Sequence, residues 1–171
     1  MSSYTEIIAF IAAVESRLST NAAAITPTGM NPITIYERDD KPFKIADGTQ
    51  ELPIMYVIPL AEGQDEIQFQ QGDGSLDHEL SFTLMGYYEE AVSDLNSTAG
   101  QTQRRLILKA MFDTVDLFKG SSAFISYTDS GGKVGAGYIH HATAEIGYFD
   151  DKGNVIAGCL ITCNFKLMSQ P

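Results

Sequence analysis

The residues with the best prospects for chemistry are few. His140 and His141 are adjacent, and Cys159 and Cys163 stand four apart. Neighbouring residues of a strand point to opposite faces, so the histidine pair does not converge on one metal. His78 is the only other histidine. A zinc site needs three or four convergent ligands, which this spacing does not supply. His140 therefore reads as a half-buried, hydrogen-bonded side chain sharing a face with Tyr138, Ala142, Ala144 and Ile146. On one strand the two cysteines would lie roughly 13 Å apart, too far for a disulfide, and read as small buried hydrophobes.

The run Gly131-Gly132-Lys133-Val134-Gly135-Ala136-Gly137 has the composition of a phosphate loop. A phosphate loop opens a helix, however, and this run leads into a strand, where glycines serve turns and close packing. Asp150-Asp151-Lys152-Gly153 has two carboxylates but not the alternating ligands and distal Glu of a calcium loop. It reads as a solvated hairpin tip and, if the protein assembles, as a candidate subunit contact. The paired acids Asp39-Asp40 and Glu89-Glu90 lie beside turns, with nothing to place them in a common pocket for acid–base work. No Gly-x-Ser-x-Gly elbow occurs, and neither cysteine has a catalytic surround. The expectation is a non-enzyme that uses no metal or cofactor.

The elements carrying these residues are easier to read. Asn154 to Met168 places Val155, Ala157, Cys159, Ile161, Cys163, Phe165 and Leu167 on one parity, an apolar strand face. Tyr138 to Phe149 and the turn at Asp150–Gly153 precede it, predicting a long C-terminal hairpin. His78 to Glu89 alternates as well, with Leu80, Phe82, Leu84 and Tyr88 on one face. Gly86 in it suggests a bulge or a close approach.

Two stretches have helical period. Ser3-Tyr4-Thr5-Glu6 fits a capping box, and Ile7, Ile8, Ile11, Val14 and Leu18 form a core-facing stripe behind it. Gln101 to Lys119 carries a second stripe of Ile107, Leu108, Met111, Phe112, Val115 and Phe118, stopped by Gly120, with Thr98–Gln101 available as its cap. Pro53 and Pro59 bracket the β-rich Leu52–Leu60 and favour an edge position or a strand with bent ends. Weaker strands are expected at Ile33–Glu37, Glu66–Gln70 and Ala123–Thr128. The loops Thr20–Pro32 and Glu90–Gly100 are long and read as plain surface connections or as assembly contacts. The order predicts one α+β domain over residues 1–171: a mostly antiparallel sheet, two main helices on one face, and a long C-terminal β-hairpin.

A net charge of −11 argues against gripping nucleic acid by its phosphates and against docking on anionic lipid. No positive region opens a signal peptide, and no apolar run nears the roughly 20 residues of a membrane span.

In order and pattern, YTEIIAFIAAVESRL, HELSFTLMGYYEE, QRRLILKAMFDTVDLF and HATAEIGYFDDKGNVIAGCLITCNFKL resemble the tail terminator (tail completion) proteins of tailed bacteriophages. The resemblance implies a virion protein made in the host cytoplasm. It implies a homo-oligomeric ring, usually a hexamer, that ends the tail tube and joins it to the head–neck connector, with DNA passing through the lumen unheld. Related alternatives are a neck or head-completion protein and a tail tube subunit. An alternative of another class is a small-ligand-binding module with a pocket lined by Tyr56, Phe82, Tyr88, Phe112 and Tyr138.

Overall fold

The computed structural model describes residues 4–37, 52–59, 68–72, 75–151 and 153–169. The chain runs α1 (Tyr4–Thr20), β1 (Thr34–Glu37), β2 (Ile54–Pro59), β3 (Gln68–Gly72), β4 (Ser75–Glu90), α2 (Thr98–Asp116), a 3₁₀ turn (Gly120–Ser122), β5 (Ile125–Thr128), β6 (Val134–Asp151) and β7 (Asn154–Ser169). The strands form one sheet in the order β1-β2-β4-β7-β6-β5, and β3 pairs with the first residues of β4. Among the described residues β1 and β2 pair in parallel and the other pairs are antiparallel. This is the expected α+β fold with the expected hairpin.

β7 is the axis of the sheet. It pairs with β4 on one side from His78↔Leu167 to Glu90↔Ile156, and with β6 on the other from Gly135↔Ser169 to Asp151↔Asn154. From Ala157 to Leu167 its alternate side chains are buried under the helices, while Val155, at the tip, is exposed. Leu80, Phe82, Leu84 and Tyr88 of β4 join the same core. Phe10 of α1 sits at its centre, edge-on to Phe82, Tyr127 and Phe165 at 5.2–6.0 Å, a favourable arrangement of ring quadrupoles.

β4 bulges at Tyr88, between Tyr87↔Gly158 and Glu89↔Ala157. Tyr88 keeps the core-facing parity of Leu80, Phe82 and Leu84 and brings its hydroxyl to 3.4 Å from Cys159 Sγ. Gly86 and Gly158 are required there: a Cβ on Gly158 would lie 2.0 Å from Gly86 O, and one on Gly86 2.8 Å from Tyr88 Oη. Burial raises the pKa of Tyr88 and of Cys159 and pushes that of the Cys163 thiol up to about 12. Both cysteines are thus neutral packing groups.

Three expectations need correction. Ile8 of α1 is 45% exposed, and the buried stripe is Phe10, Ile11, Val14 and Leu18, because the helix lies across the sheet on its Phe10 side. β2 is not an edge strand. β1 pairs with Ile54–Val57 only, so the prolines fall outside that ladder. The Thr20–Pro32 segment is not a free surface loop: Ile25 is fully buried, and Thr26 Oγ1 accepts the Ile33 amide at 2.8 Å. Of the supposed capping box, Ser3 lies outside the described residues, and the Glu6 carboxylate is buried 3.1 Å from Lys133 Nζ.

That ion pair belongs to a latch between α1 and the β5–β6 turn. Asp129 Oδ1 accepts the amides of Gly131 and Lys133, both at 2.8 Å, and its Oδ2 accepts Thr5 Oγ1 at 3.0 Å. The Lys133 amide, chiefly, holds the Asp129 carboxyl below its usual value. Burial, with the charges of Glu6 and Asp129, pushes the Tyr127 hydroxyl up to about 12. The Gly131–Gly137 run is this turn and the entry to β6. A Cβ on Gly135 or Gly137 would lie 2.3 Å from Tyr127 or 2.4 Å from Phe10.

Candidate subunit interface along β6 and α2

α2 is fixed at both ends. Ser97 is its N-cap and accepts the Gly100 amide at 3.1 Å, so the helix begins ahead of the Gln101 expected from periodicity. Gln103 is buried and ties the first turn to the end of β4, donating to Glu90 O at 2.9 Å and Glu89 Oε1 at 3.0 Å and accepting the Val92 amide at 3.1 Å. At the far end the Arg17 guanidinium of α1 donates to the carbonyls of Leu117, Ser122 and Phe124. Charge-assisted bonds of this kind satisfy carbonyls that a helix end leaves free.

So held, α2 buries Ile107, Ala110, Met111 and Thr114. It does not bury the whole predicted stripe. Leu108 is 43% and Phe112 58% exposed. They overhang an open groove of about 460 Å³, whose other wall is β6 from Ile139 to Ala144. Past Leu108 the groove continues over Ile146 to Arg104 and Arg105. Neither arginine makes an ion pair among the described residues, whereas Lys109 and Lys119 pair with Asp113 and Asp116. α2 thus carries three cations against two acids in a chain of net charge −11.

The β6 wall is a sheet edge. β5 pairs with Val134–Gly137 only, and beyond Gly137 no described strand pairs with the outer side of β6. The sequence from Ala142 to Phe149 contains one charge, Glu145, and no proline. Edge strands are ordinarily blunted by lysine, proline or cover, because unpaired amides and carbonyls recruit other strands. Only the bulge at His140 interrupts this edge.

That bulge corrects the reading of the histidines. Ile139 faces Phe165 and His141 faces Asn164, so His140 is the extra residue and parity reverses across it. Tyr138 consequently lies off the core face, in ring contact with Phe124 at 5.5 Å, while Ala142 and Ile146 pack on the core. His140 and His141 line the same groove, contrary to the opposite faces of a regular strand. His140 Nε2 is 3.0 Å from Glu79 Oε1. Among the described residues no group of three His, Cys, Asp or Glu side chains converges as a metal site would require.

The other sequence-derived sites fare differently. At the hairpin tip Asp150 Oδ1 accepts the Gly153 amide at 2.9 Å, and Gly153 has φ +92°. Asp150 and Gly153 thus shape the turn; Lys152 lies outside the described residues, as do Asp39 and Asp40. The five aromatics proposed as a ligand pocket do not meet. Phe82 and Tyr88 are core, Phe112 is on the outer side of α2, and Tyr56 packs with Tyr87 on the opposite sheet face. The length of the hairpin in the sequence does not reveal which side of β6 is paired within the chain.

Among the described residues no helix is long and apolar enough to cross a membrane. No protein-family model and no curated protein matches this chain.

Proposed function

We propose that this chain is a structural subunit of a phage tail, forming the ring that terminates the tail tube and joins it to the neck. The observation that carries the reading is that, among the described residues, the sheet is open at both ends: β1 bounds one side, and the outer side of β6 has no partner strand beyond Gly137 on the other. A subunit with two different open edges can join head to tail, and a head-to-tail contact that closes makes a ring. The order of elements supports the same reading, as it resembles that of tail terminators. The acidity suits a lumen through which DNA moves without being held.

The hairpin tip is the contact with a neighbouring ring in this reading. Asp151→Lys leaves the fold intact and weakens joining to the tube. The test combines native mass with a capping assay on preformed tail tubes. The reading expects a ring of about six copies, or subunits that assemble on the tube end and stop its growth. Protein that neither forms rings nor binds tube ends contradicts it.

A further inference from the structure

The open side of β6 and the outward face of α2 lie together, and each is complementary to itself. Arg105, Leu108, Phe112 and Asp116 follow at three- and four-residue spacing along α2 and are all exposed. That face is basic at its start, apolar in its middle and acidic at its end. Laid against a second α2 running the opposite way, it sets Leu108 of each copy against Phe112 of the other, and Arg104 and Arg105 against Asp116. Asp116 also meets Lys119 at 3.1 Å, but that pair is well exposed and holds the carboxylate only weakly.

On β6, Thr143, Ala144 and Glu145 are exposed. Ala142 and Ala144 share the helix-side parity of Ile146, whereas His141, Thr143 and Glu145 take the other face. An antiparallel copy of β6 centred on Thr143 would put Ala142 opposite Ala144 and His141 opposite Glu145. Small residues then meet beneath the helices, and an imidazole meets a carboxylate on the far face. Centring on Glu145 would instead oppose two carboxylates, which is unfavourable.

One axis serves both contacts. α2 runs opposite to β6, with Leu108 beside Ala144 and Ile146. Four helical residues advance about 6 Å and two strand residues about 6.6 Å, so an axis close to Thr143 passes between Leu108 and Phe112. The spacing fits as well. α2 packs on both β6 and β7. Strands stand about 4.8 Å apart, so the helix of the copy would lie roughly 10 Å away, and packed helices stand about 8–10 Å apart. A lone strand added to the edge would leave Leu108 and Phe112 bare, whereas a second copy brings the helix that covers them.

We propose that two copies of this chain join β6 to β6, antiparallel about a two-fold axis at Thr143, with α2 against α2 over the joined sheet. This goes beyond the tail reading and does not rest on it. A two-fold contact uses one patch twice and closes at two copies. For a tail subunit it is therefore the form of the free protein, keeping a strand-recruiting edge covered until the subunit joins the tube.

The first experiment uses the axis itself, because only a residue on it meets its own copy. Cys159 and Cys163 are buried, so an introduced thiol can be read alone. Under mild oxidation Thr143→Cys should give a disulfide-linked dimer, whereas Ser130→Cys, exposed at the far turn of β6, should not. The second experiment reads native mass. The parent should run at twice the chain mass, and Arg104→Glu/Arg105→Glu should weaken that pair about tenfold or more while leaving circular dichroism and thermal midpoint unchanged. Adding Asp116→Arg to the same chain should restore the pair. The inference is overturned if the parent stays monomeric at the highest concentration reached, if Thr143→Cys cross-links no better than Ser130→Cys, or if Asp116→Arg does not rescue the double reversal. Capping of preformed tubes by the parent decides the tail reading separately, whichever way the pair falls.

Discussion

β6 and β7 are the two arms of one hairpin and nearly equal in length, yet they meet different fates. β7 is paired along both sides, and its helix-facing side chains from Ala157 to Leu167 are buried. β6 is paired fully on one side and for four residues on the other. Hydrophobic pattern separates them only weakly, since both alternate. What separates them is how much of the ladder the chain itself completes. A strand closed on both sides holds the fold, and a strand left open has hydrogen-bonding capacity to offer another chain.

The largest effect should come from breaking the closed arm. Ile161 is fully buried between Leu84 and Ala144 in register. Ile161→Asp places an unpaired charge in the core and should cost about 4–5 kcal/mol or more, enough to abolish cooperative unfolding in urea. A cooperative transition near that of the parent would show that β7 is not the axis of the fold.

The open arm should respond in the opposite manner. Phe112 overhangs the β6 groove and is 58% exposed. Phe112→Ser should change stability by no more than about 0.5 kcal/mol, yet should weaken association measured by native mass. Loss of stability with unchanged association would reverse the assignment of that side chain.

The smallest effect concerns the turn that starts β6. The folded Asp129 carboxyl ionises below its ordinary value of 3.8. A depressed carboxylate contributes stability that is fully present above the unfolded value and is lost as pH falls through the lower, folded one. The thermal midpoint of Asp129→Asn should therefore lie below the parent's near neutrality and converge with it in acid. A gap that does not narrow below the carboxylate range would remove Asp129 from the latch.

Much of the fold was legible because it rests on short-range pattern. The parity of Ala157 to Leu167, the β4 face of Leu80 to Tyr88 and the period of α1 and α2 are read directly from residue order. The candidate interface was less legible, for specific reasons. One extra residue at His140 reverses parity, and no local composition marks it. Leu108 and Phe112 belong to the apolar stripe of α2, yet the placement of that helix on the sheet leaves them exposed. Pairing of β6 depends on where β5 ends, four residues in, which is a tertiary fact. The conflict between an apolar stripe and its exposure is what one expects where a site overrides local consistency.

The most direct test of the open edge is amide hydrogen exchange on dispersed and assembled protein. Backbone amides on an unpaired edge exchange readily, and pairing with another strand protects them. If β6 is the contact, peptides covering residues 141–150 gain protection on assembly, while those covering 157–167 of β7 are equally protected in both states. If assembly leaves exchange along β6 unchanged, the copies meet elsewhere and the account of this edge is wrong.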